Sequence, residues 1–135
     1  MRTSRLIGTA LVTIGLGLAA TTAPAQAGTV VGSGPGGSGK FTCSATKATK
    51  SDANLWCRFR DSKRDGGGVY VQYQVTRNGP NSSWDRLTRN ALSRNRTTIH
   101  RSNTPVGSRA QGIRFRMCKD VNGLDDCGEN SLVRF

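Results

Sequence analysis

Three segments of this chain alternate apolar and polar residues with a period of two, and this pattern constrains the fold more than any other feature. The segments are ANLWCRFRD at 53–61, VYVQYQVTR at 69–77 and QGIRFRMCK at 111–119. Successive side chains of a β-strand point to opposite faces, so each segment predicts a strand with one buried face. The residues predicted to face the core are Leu55, Cys57, Phe59, Val69, Val71, Tyr73, Val75, Ile113, Phe115 and Met117. The residues predicted on the opposite faces are Trp56, Arg58, Arg60, Tyr70, Gln72, Gln74, Thr76, Arg114 and Arg116.

Other segments extend this pattern. RTTIHR at 96–101 and NSLVRF at 130–135 are also typical of strands. WDRLTRNALSRN at 84–95 fits either one helical face or two short strands, and the sequence leaves both open. Short strands joined by glycine-rich turns, with no clear long helix, predict an all-β fold, namely a small β-sandwich.

The first residues have the organisation of an export signal. Arg2 and Arg5 precede an apolar run at 6–20, and small residues stand at Ala25 and Ala27. The run is shorter than the roughly 20 residues that a membrane-spanning helix needs. We therefore predict a secretory signal peptide over 1–27, cleaved after Ala27, and a secreted protein.

Four cysteines follow the predicted signal peptide. They are Cys43, Cys57, Cys118 and Cys127. An even number in an exported chain predicts two disulfides, for which three pairings are possible. The spacing favours Cys43 with Cys57 and Cys118 with Cys127, because each pair brackets a short loop between strand-like segments. A zinc site is not predicted, since the chain has no Cys-x-x-Cys and only one histidine.

Half of the residues at 28–39, GTVVGSGPGGSG, are glycine. From Gly34 the chain matches seven positions of a phosphate-binding loop, but Phe41 replaces the hydroxyl residue that would hold magnesium, and no flanking strand and helix are predicted. We predict instead a flexible Gly/Ser-rich arm at 28–39 before a β-sandwich domain at 40–135. Such an arm is either a tail without a partner or a segment that pairs with one by main-chain hydrogen bonds. The predicted partner-binding residues are Val30, Val31, Gly32, Gly34, Gly36, Gly37 and Gly39.

The sequence supplies few catalytic groups. His100 and Glu129 are the only residues of their types, and no nucleophile motif is present, so we expect no enzyme activity and no cofactor. The loop at 120–129, DVNGLDDCGE, offers oxygen donors that suit calcium, yet Leu124 and Asp125 depart from the expected pattern. A polar hairpin loop without metal is the favoured interpretation, and calcium stays open.

The chain is strongly basic, with 20 Lys and Arg against 8 Asp and Glu. This balance suits an anionic partner such as a wall polymer, an acidic protein or nucleic acid, and it also suits a merely solubilising surface. Because Phe59 and Tyr73 are assigned to the core and no recognition motif is present, we do not expect a nucleic-acid-binding protein.

The combination of a cleaved signal, a glycine-rich arm and a two-disulfide β-domain containing FRMCK at 115–119 and SLVRF at 131–135 resembles small secreted proteins of filamentous actinomycetes. In layout it is similar to the adaptor subunit of umbrella toxin particles. That resemblance implies a non-catalytic adaptor whose arm inserts into the cleft of a lectin-bearing, trypsin-like subunit and whose domain docks on a large polymorphic toxin. The alternatives are a secreted protease inhibitor and a cationic protein that binds cell wall or other polyanions.

Overall fold

The computed structural model describes residues 28–63, 67–88, 91–92, 96–121 and 124–135, and the predicted signal peptide at 1–27 lies outside them. A single 3₁₀ turn, Pro35–Gly37, is the only helical element in these ranges. The strands in the same ranges are β1 Gly28–Ser33, β2 Gly39–Lys47, β3 Asp52–Asp61, β4 Val69–Arg77, β5 Asp85–Arg86, β6 Thr97–Pro105, β7 Ala110–Lys119, β8 Asp126–Cys127 and β9 Ser131–Arg134.

The strands form two antiparallel sheets. Sheet A has the order β1-β2-β3-β6, and sheet B has the order β5-β4-β7, with β8 and β9 both pairing with β7. Apolar side chains from the two sheets form one core cluster. The prediction of an all-β fold with the character of a β-sandwich is therefore confirmed.

The core contains the residues that the alternation predicts. Leu55, Phe59, Ile113, Phe115 and Met117 are all at most 2% exposed. Sheet A adds buried side chains from β2, and sheet B adds one from β9. These are Phe41, Cys43, Ala45 and Val133. Burial of this apolar surface is the main free-energy gain that holds the two sheets together.

Strand β4 is buried on both faces rather than on one. Tyr70 points away from the core between the sheets, yet it is 0% exposed. The short strand β5 pairs with Gln72 and Tyr73 and lies over this outer face. Of the two interpretations of 84–95, the one with short strands is correct for the described part, because Leu92 also forms an isolated bridge with Val69. Residues 89–90 and 93–95 lie outside the described ranges.

Both predicted disulfides are confirmed. Cys43 and Cys57 are directly opposite each other on β2 and β3, and Cys118 and Cys127 are opposite each other on β7 and β8. The first bridge lies in the core, whereas the second lies on the outer face of sheet B, where Cys118 is next to Tyr70. Two disulfides are consistent with an extracellular or secreted protein.

The prediction of a flexible arm is corrected by the structure. Residues Gly28–Ser33 form β1, whose six residues pair with Lys40 to Ala45 of β2. The arm therefore belongs to sheet A and does not precede it. The glycine-rich composition did not reveal this pairing. A turn folds the segment back onto β2, and its main-chain groups are satisfied there.

Candidate functional site

The predicted partner-binding residues lie together at one edge of sheet A. The inward positions of β1 are Gly28, Val30 and Gly32. Val30 is therefore the one side chain of β1 that packs against the core, and it is partly buried. A side chain at Gly32 would collide with the ring of Phe41. Val31 points outward and is 70% exposed. β1 is thus attached by main-chain pairing with β2, by one valine and by contacts with β9.

A glycine turn connects β1 to β2. The Gly34 N–H donates to the Gly39 carbonyl at 2.9 Å, which closes the turn. Gly36 and Gly37 have φ of +58° and +70°, a conformation that favours glycine. A Cβ on Gly39 would stand 2.6 Å from the Met117 sulfur, so glycine also lets this turn lie directly on sheet B.

A groove of about 440 Å³ runs beside β1. One wall is the chain from Val31 to Pro35, and the other is the chain from Gly128 to Ser131. The Ser131 hydroxyl donates to the Val31 carbonyl at 3.2 Å. That carbonyl therefore points away from β2, towards the outer edge of the sheet.

The outer face of sheet A is the second exposed feature, and we call it the basic face. Its basic side chains are Lys40, Arg58, Arg60 and Arg101. Among the outward positions of the four strands, Asp52 is the only acidic residue. Its carboxylate stands at the far end of β3 and accepts hydrogen bonds from the hydroxyls of Thr49 and Ser51 within the same turn.

Trp56 lies near the middle of the basic face. It is opposite Ser44 of β2 on one side and Arg101 of β6 on the other. Its indole is partly exposed, since the core side of β3 is occupied by Leu55 and Cys57. The sequence showed the alternation that turns Trp56 and Arg58 outward, but it did not show that β6 pairs beside β3, so Arg101 was not placed here.

The outer face of sheet B is closed by cation–π contacts. The Arg86 guanidinium carbon lies 3.8 Å from the centre of the Tyr70 ring, and that of Arg116 lies 4.1 Å from the centre of the Trp84 ring. Arg116 also donates through Nε to the Gln72 side-chain oxygen at 2.8 Å. These contacts are structural, because they cover β4 and leave little room for a ligand.

Tyr70 has a perturbed hydroxyl beneath this layer. Burial, and then the Asp125 carboxylate, raise the pKa of Tyr70 to about 12, while the Arg86 cation opposes the shift. Asp125 also forms an ion pair with Arg86 at 3.5 Å. The Tyr70 hydroxyl interacts with the Asp125 carboxylate, which favours the protonated phenol, but the contact does not have the geometry of a full hydrogen bond. Burial, followed by Asp85, also raises the pKa of Tyr73.

The remaining candidates from the sequence are dispersed. His100 lies on β6, opposite Cys57, whereas Glu129 lies beside β1 at the other edge of sheet A. No group of three His, Cys, Asp or Glu side chains in the described ranges is arranged to hold a metal ion. Asn122 of the proposed calcium loop lies outside those ranges. None of the helical structure described is long and apolar enough to cross a membrane.

The fold and its two exposed features define a small disulfide-linked β-sandwich with an edge strand of small residues and a basic sheet face. Comparison with protein-family models, with curated proteins and with solved structures found no match to this chain.

Proposed function

We propose that this protein is a secreted, non-catalytic adaptor that binds a partner protein through the segment at 28–39. The observation that carries the proposal is the attachment of β1, which rests mainly on main-chain pairing with β2 and to which Val30 alone adds a partly buried apolar side chain. A partner cleft that receives this segment offers new main-chain hydrogen bonds in place of the ones it loses. Small side chains allow the backbone to enter a narrow cleft.

Releasing β1 has an energetic cost that the partner must offset. The main-chain groups of β1 form new bonds with the partner, whereas β2 loses its neighbouring strand, Val30 loses its partial burial, and the Phe41 ring beneath Gly32 becomes exposed. Val31, which is exposed in the free protein, becomes a second apolar anchor. In this proposal the six-residue strand leaves sheet A, and the new bonds to the partner together with the burial of Val31 offset the cost.

The resemblance to umbrella toxin adaptors supports the choice of partners. On that basis the segment at 28–39 binds a trypsin-like, lectin-bearing subunit, and the rest of the β-domain docks on a large polymorphic toxin. An adaptor needs two separate surfaces, and β1 and β6 provide opposite edges of sheet A. The two partners can therefore bind without excluding each other.

A covalent lock on β1 tests the proposal. The variant Thr29→Cys/Ser44→Cys joins two directly opposite residues of β1 and β2 on the outer face, and Thr29→Ser, which keeps Ser44, is the matched unlinked control. Each protein, tagged at the C-terminus, is recovered from the medium of a secreting actinomycete, and the proteins that accompany it are identified by mass spectrometry. We expect the parent and the serine control to recover large secreted partners, and the locked variant to lose at least one.

Two outcomes contradict the proposal. If the locked variant keeps every partner, β1 is not released on binding. If the parent is recovered alone at moderate salt, the protein is not an adaptor in a stable particle.

The loop closed by Cys118 and Cys127 favours a second candidate, a secreted protease inhibitor. Leu124 in this loop is 82% exposed and Val121 is 44% exposed, and a disulfide closes the loop at its base. Inhibitors of this kind present an apolar residue on a braced loop. Stoichiometric inhibition of subtilisin or trypsin by the purified protein, abolished by Leu124→Asp, would favour this candidate over the adaptor.

A further inference from the structure

The basic face of sheet A has a composition that neither the core nor the adaptor role explains. Arg58 and Arg101 point outward, and neither forms an ion pair with a carboxylate among the described residues. Trp56 is two residues from Arg58 on β3 and directly opposite Arg101 on β6, and its indole does not belong to the core cluster. A large aromatic side chain kept partly exposed beside arginines indicates a binding surface.

Two grooves lie on this face. The first, of about 470 Å³, is lined by Trp56, Arg101 and short polar side chains that include Ser44, Asn54 and Asn103. The second, of about 180 Å³, is lined by Lys40, Thr42, Arg58 and Arg60. The first groove combines an aromatic ring with hydroxyl and amide groups, whereas the second is mainly cationic.

The polar groups around Trp56 are suited to hydroxyl-rich ligands. The Asn103 amide nitrogen donates to the Asn54 side-chain oxygen at 2.9 Å, which fixes the orientation of both amides. The Asn54 nitrogen then offers two donors and the Asn103 oxygen offers two acceptor sites beside the indole. A sugar ring uses both: its hydroxyls bond to amides, and its C–H face packs on an aromatic ring.

The spacing along β3 relates the position of the Trp56 ring to that of the Arg58 charge. Trp56 and Arg58 are two residues apart on the same face, about 7 Å at the rise of an extended strand. That distance is comparable to one sugar unit of a polysaccharide. A ring stacked on Trp56 therefore places the anionic group of the next unit near Arg58, with Lys40 in the same groove.

We propose that the basic face binds an anionic polysaccharide, with one sugar ring stacked on Trp56 and neighbouring carboxylate or phosphate groups paired with Arg58, Arg101 and Lys40. Charge complementarity supports an anionic ligand, since Lys40, Arg58 and Arg101 face outward and the one carboxylate at an outward position, Asp52, is bonded within its own turn. Single-stranded nucleic acid fits less well, because it uses several aromatic side chains for successive bases. Trp56 is the only aromatic residue at an outward position of β1, β2, β3 and β6, all of which lie in described ranges.

Binding of defined polymers to the full mature protein tests this site. The probes are polygalacturonate as an anionic sugar chain, dextran as a neutral one, polyphosphate as charge without rings, and a dT oligonucleotide. We expect polygalacturonate to bind most tightly, with an affinity that falls as salt rises. Trp56→Ala is expected to weaken this binding at least about tenfold, in line with the loss of one stacked ring.

Matched variants separate the site from net charge and from folding. Trp56→Phe keeps a stacking surface and should retain most of the affinity, while Arg58→Gln should weaken binding and make it less sensitive to salt. Arg134→Gln removes the same charge from an exposed position on β9 and should leave binding unchanged. Each variant is compared with the parent by thermal unfolding.

Several outcomes would overturn the assignment. Absence of polygalacturonate binding, equal binding by Trp56→Ala and the parent, or equal effects of Arg58→Gln and Arg134→Gln would each remove a specific site. Equal or tighter binding of polyphosphate would reduce the face to an unspecific anion-binding surface, and tighter binding of dT would assign it to nucleic acid. None of these results depends on the partners recovered in the adaptor experiment.

Discussion

The pKa of Tyr70 is shifted further from its ordinary value than that of any other group described in this protein. The burial of its ring beneath Arg86 removes water from the phenol, and the nearby Asp125 carboxylate further disfavours the phenolate. The ring itself fills the outer face of β4, so its role is in packing. The hydroxyl makes no hydrogen bond of full geometry, so its interaction with Asp125 offsets only part of the cost of burying it.

The perturbed Tyr70 predicts how stability depends on alkaline pH. The folded pKa of about 12 lies above the ordinary value of 10, so the native state keeps the phenol proton after the unfolded chain has lost it. The contribution of Tyr70 to the free energy of unfolding is fully present below pH 10 and is lost between pH 10 and 12. The loss reaches about 3 kcal/mol, at about 1.4 kcal/mol per pH unit. Urea unfolding of the parent and of Tyr70→Phe across this range should show the extra loss only in the parent.

The same variant provides a check near neutral pH. Because Tyr70→Phe removes a buried hydroxyl that makes only a weak contact with Asp125, its free energy of unfolding at pH 7 should be within about 1 kcal/mol of the parent value. A phenol titration followed by ultraviolet absorbance is simple, since the chain has two tyrosines. A midpoint near 10 for both tyrosines in the folded protein would contradict the burial argument.

At the scale of elements, the sequence predicted most of the strands but not the position of the first. Alternation defined β3, β4 and β7 because each turns one apolar face into the core, and the core residues follow from it, although β4 is covered on its outer face as well. β1 has no such pattern, since Gly28 and Gly32 occupy its inward positions and leave no apolar signal. Its place in sheet A depends on the neighbouring Phe41, which fills the space that a side chain on β1 would occupy.

The sequence did not predict the complete set of residues on the basic face, and the reason is different. The outward direction of Trp56 and Arg58 can be derived from the strand pattern, and that part of the site was predicted. The neighbourhood of Arg101 depends on the pairing of β3 with β6, which are separated in sequence by β4 and β5. Non-local pairing of this kind leaves no mark on local composition.

Gly32→Ala should selectively loosen β1. The added methyl collides with the buried Phe41 ring, so β1 must move away from β2 while the strands on either side of the core keep their packing. Hydrogen exchange should then show faster exchange in β1 and unchanged protection in β3 and β7. Thr29→Ala, at an exposed outward position of the same strand, is the control. Uniformly faster exchange across both sheets would show instead that β1 is integral to the core.

At the scale of the whole molecule, one disulfide supports each sheet. Cys43–Cys57 closes 14 residues in sheet A and Cys118–Cys127 closes 9 residues in sheet B. The restriction of the unfolded chain alone is worth about 3 kcal/mol for the first bridge and slightly less for the second. The first bridge also fills core volume, because both of its cysteines are 0% exposed.

The double variant Cys43→Ala/Cys57→Ala should therefore be less stable than Cys118→Ala/Cys127→Ala. We expect losses of about 4 to 5 kcal/mol and about 3 kcal/mol, because the first variant adds cavities to the chain-entropy loss. Equilibrium urea unfolding followed by circular dichroism measures both. An equal or reversed order would mean that the bridge on the outer face of sheet B does more than restrict the chain.

The free edge of β6 has a consequence for the behaviour of the protein in concentrated solution. Within the described residues β3 is the only strand that pairs with β6, so a nine-residue edge is open to pairing with a second copy. Two copies joined in the centred antiparallel register would bring Arg101 directly opposite Arg101, and like charges there oppose the association. The arginine proposed to hold a ligand would in this way also protect the molecule from edge-to-edge aggregation.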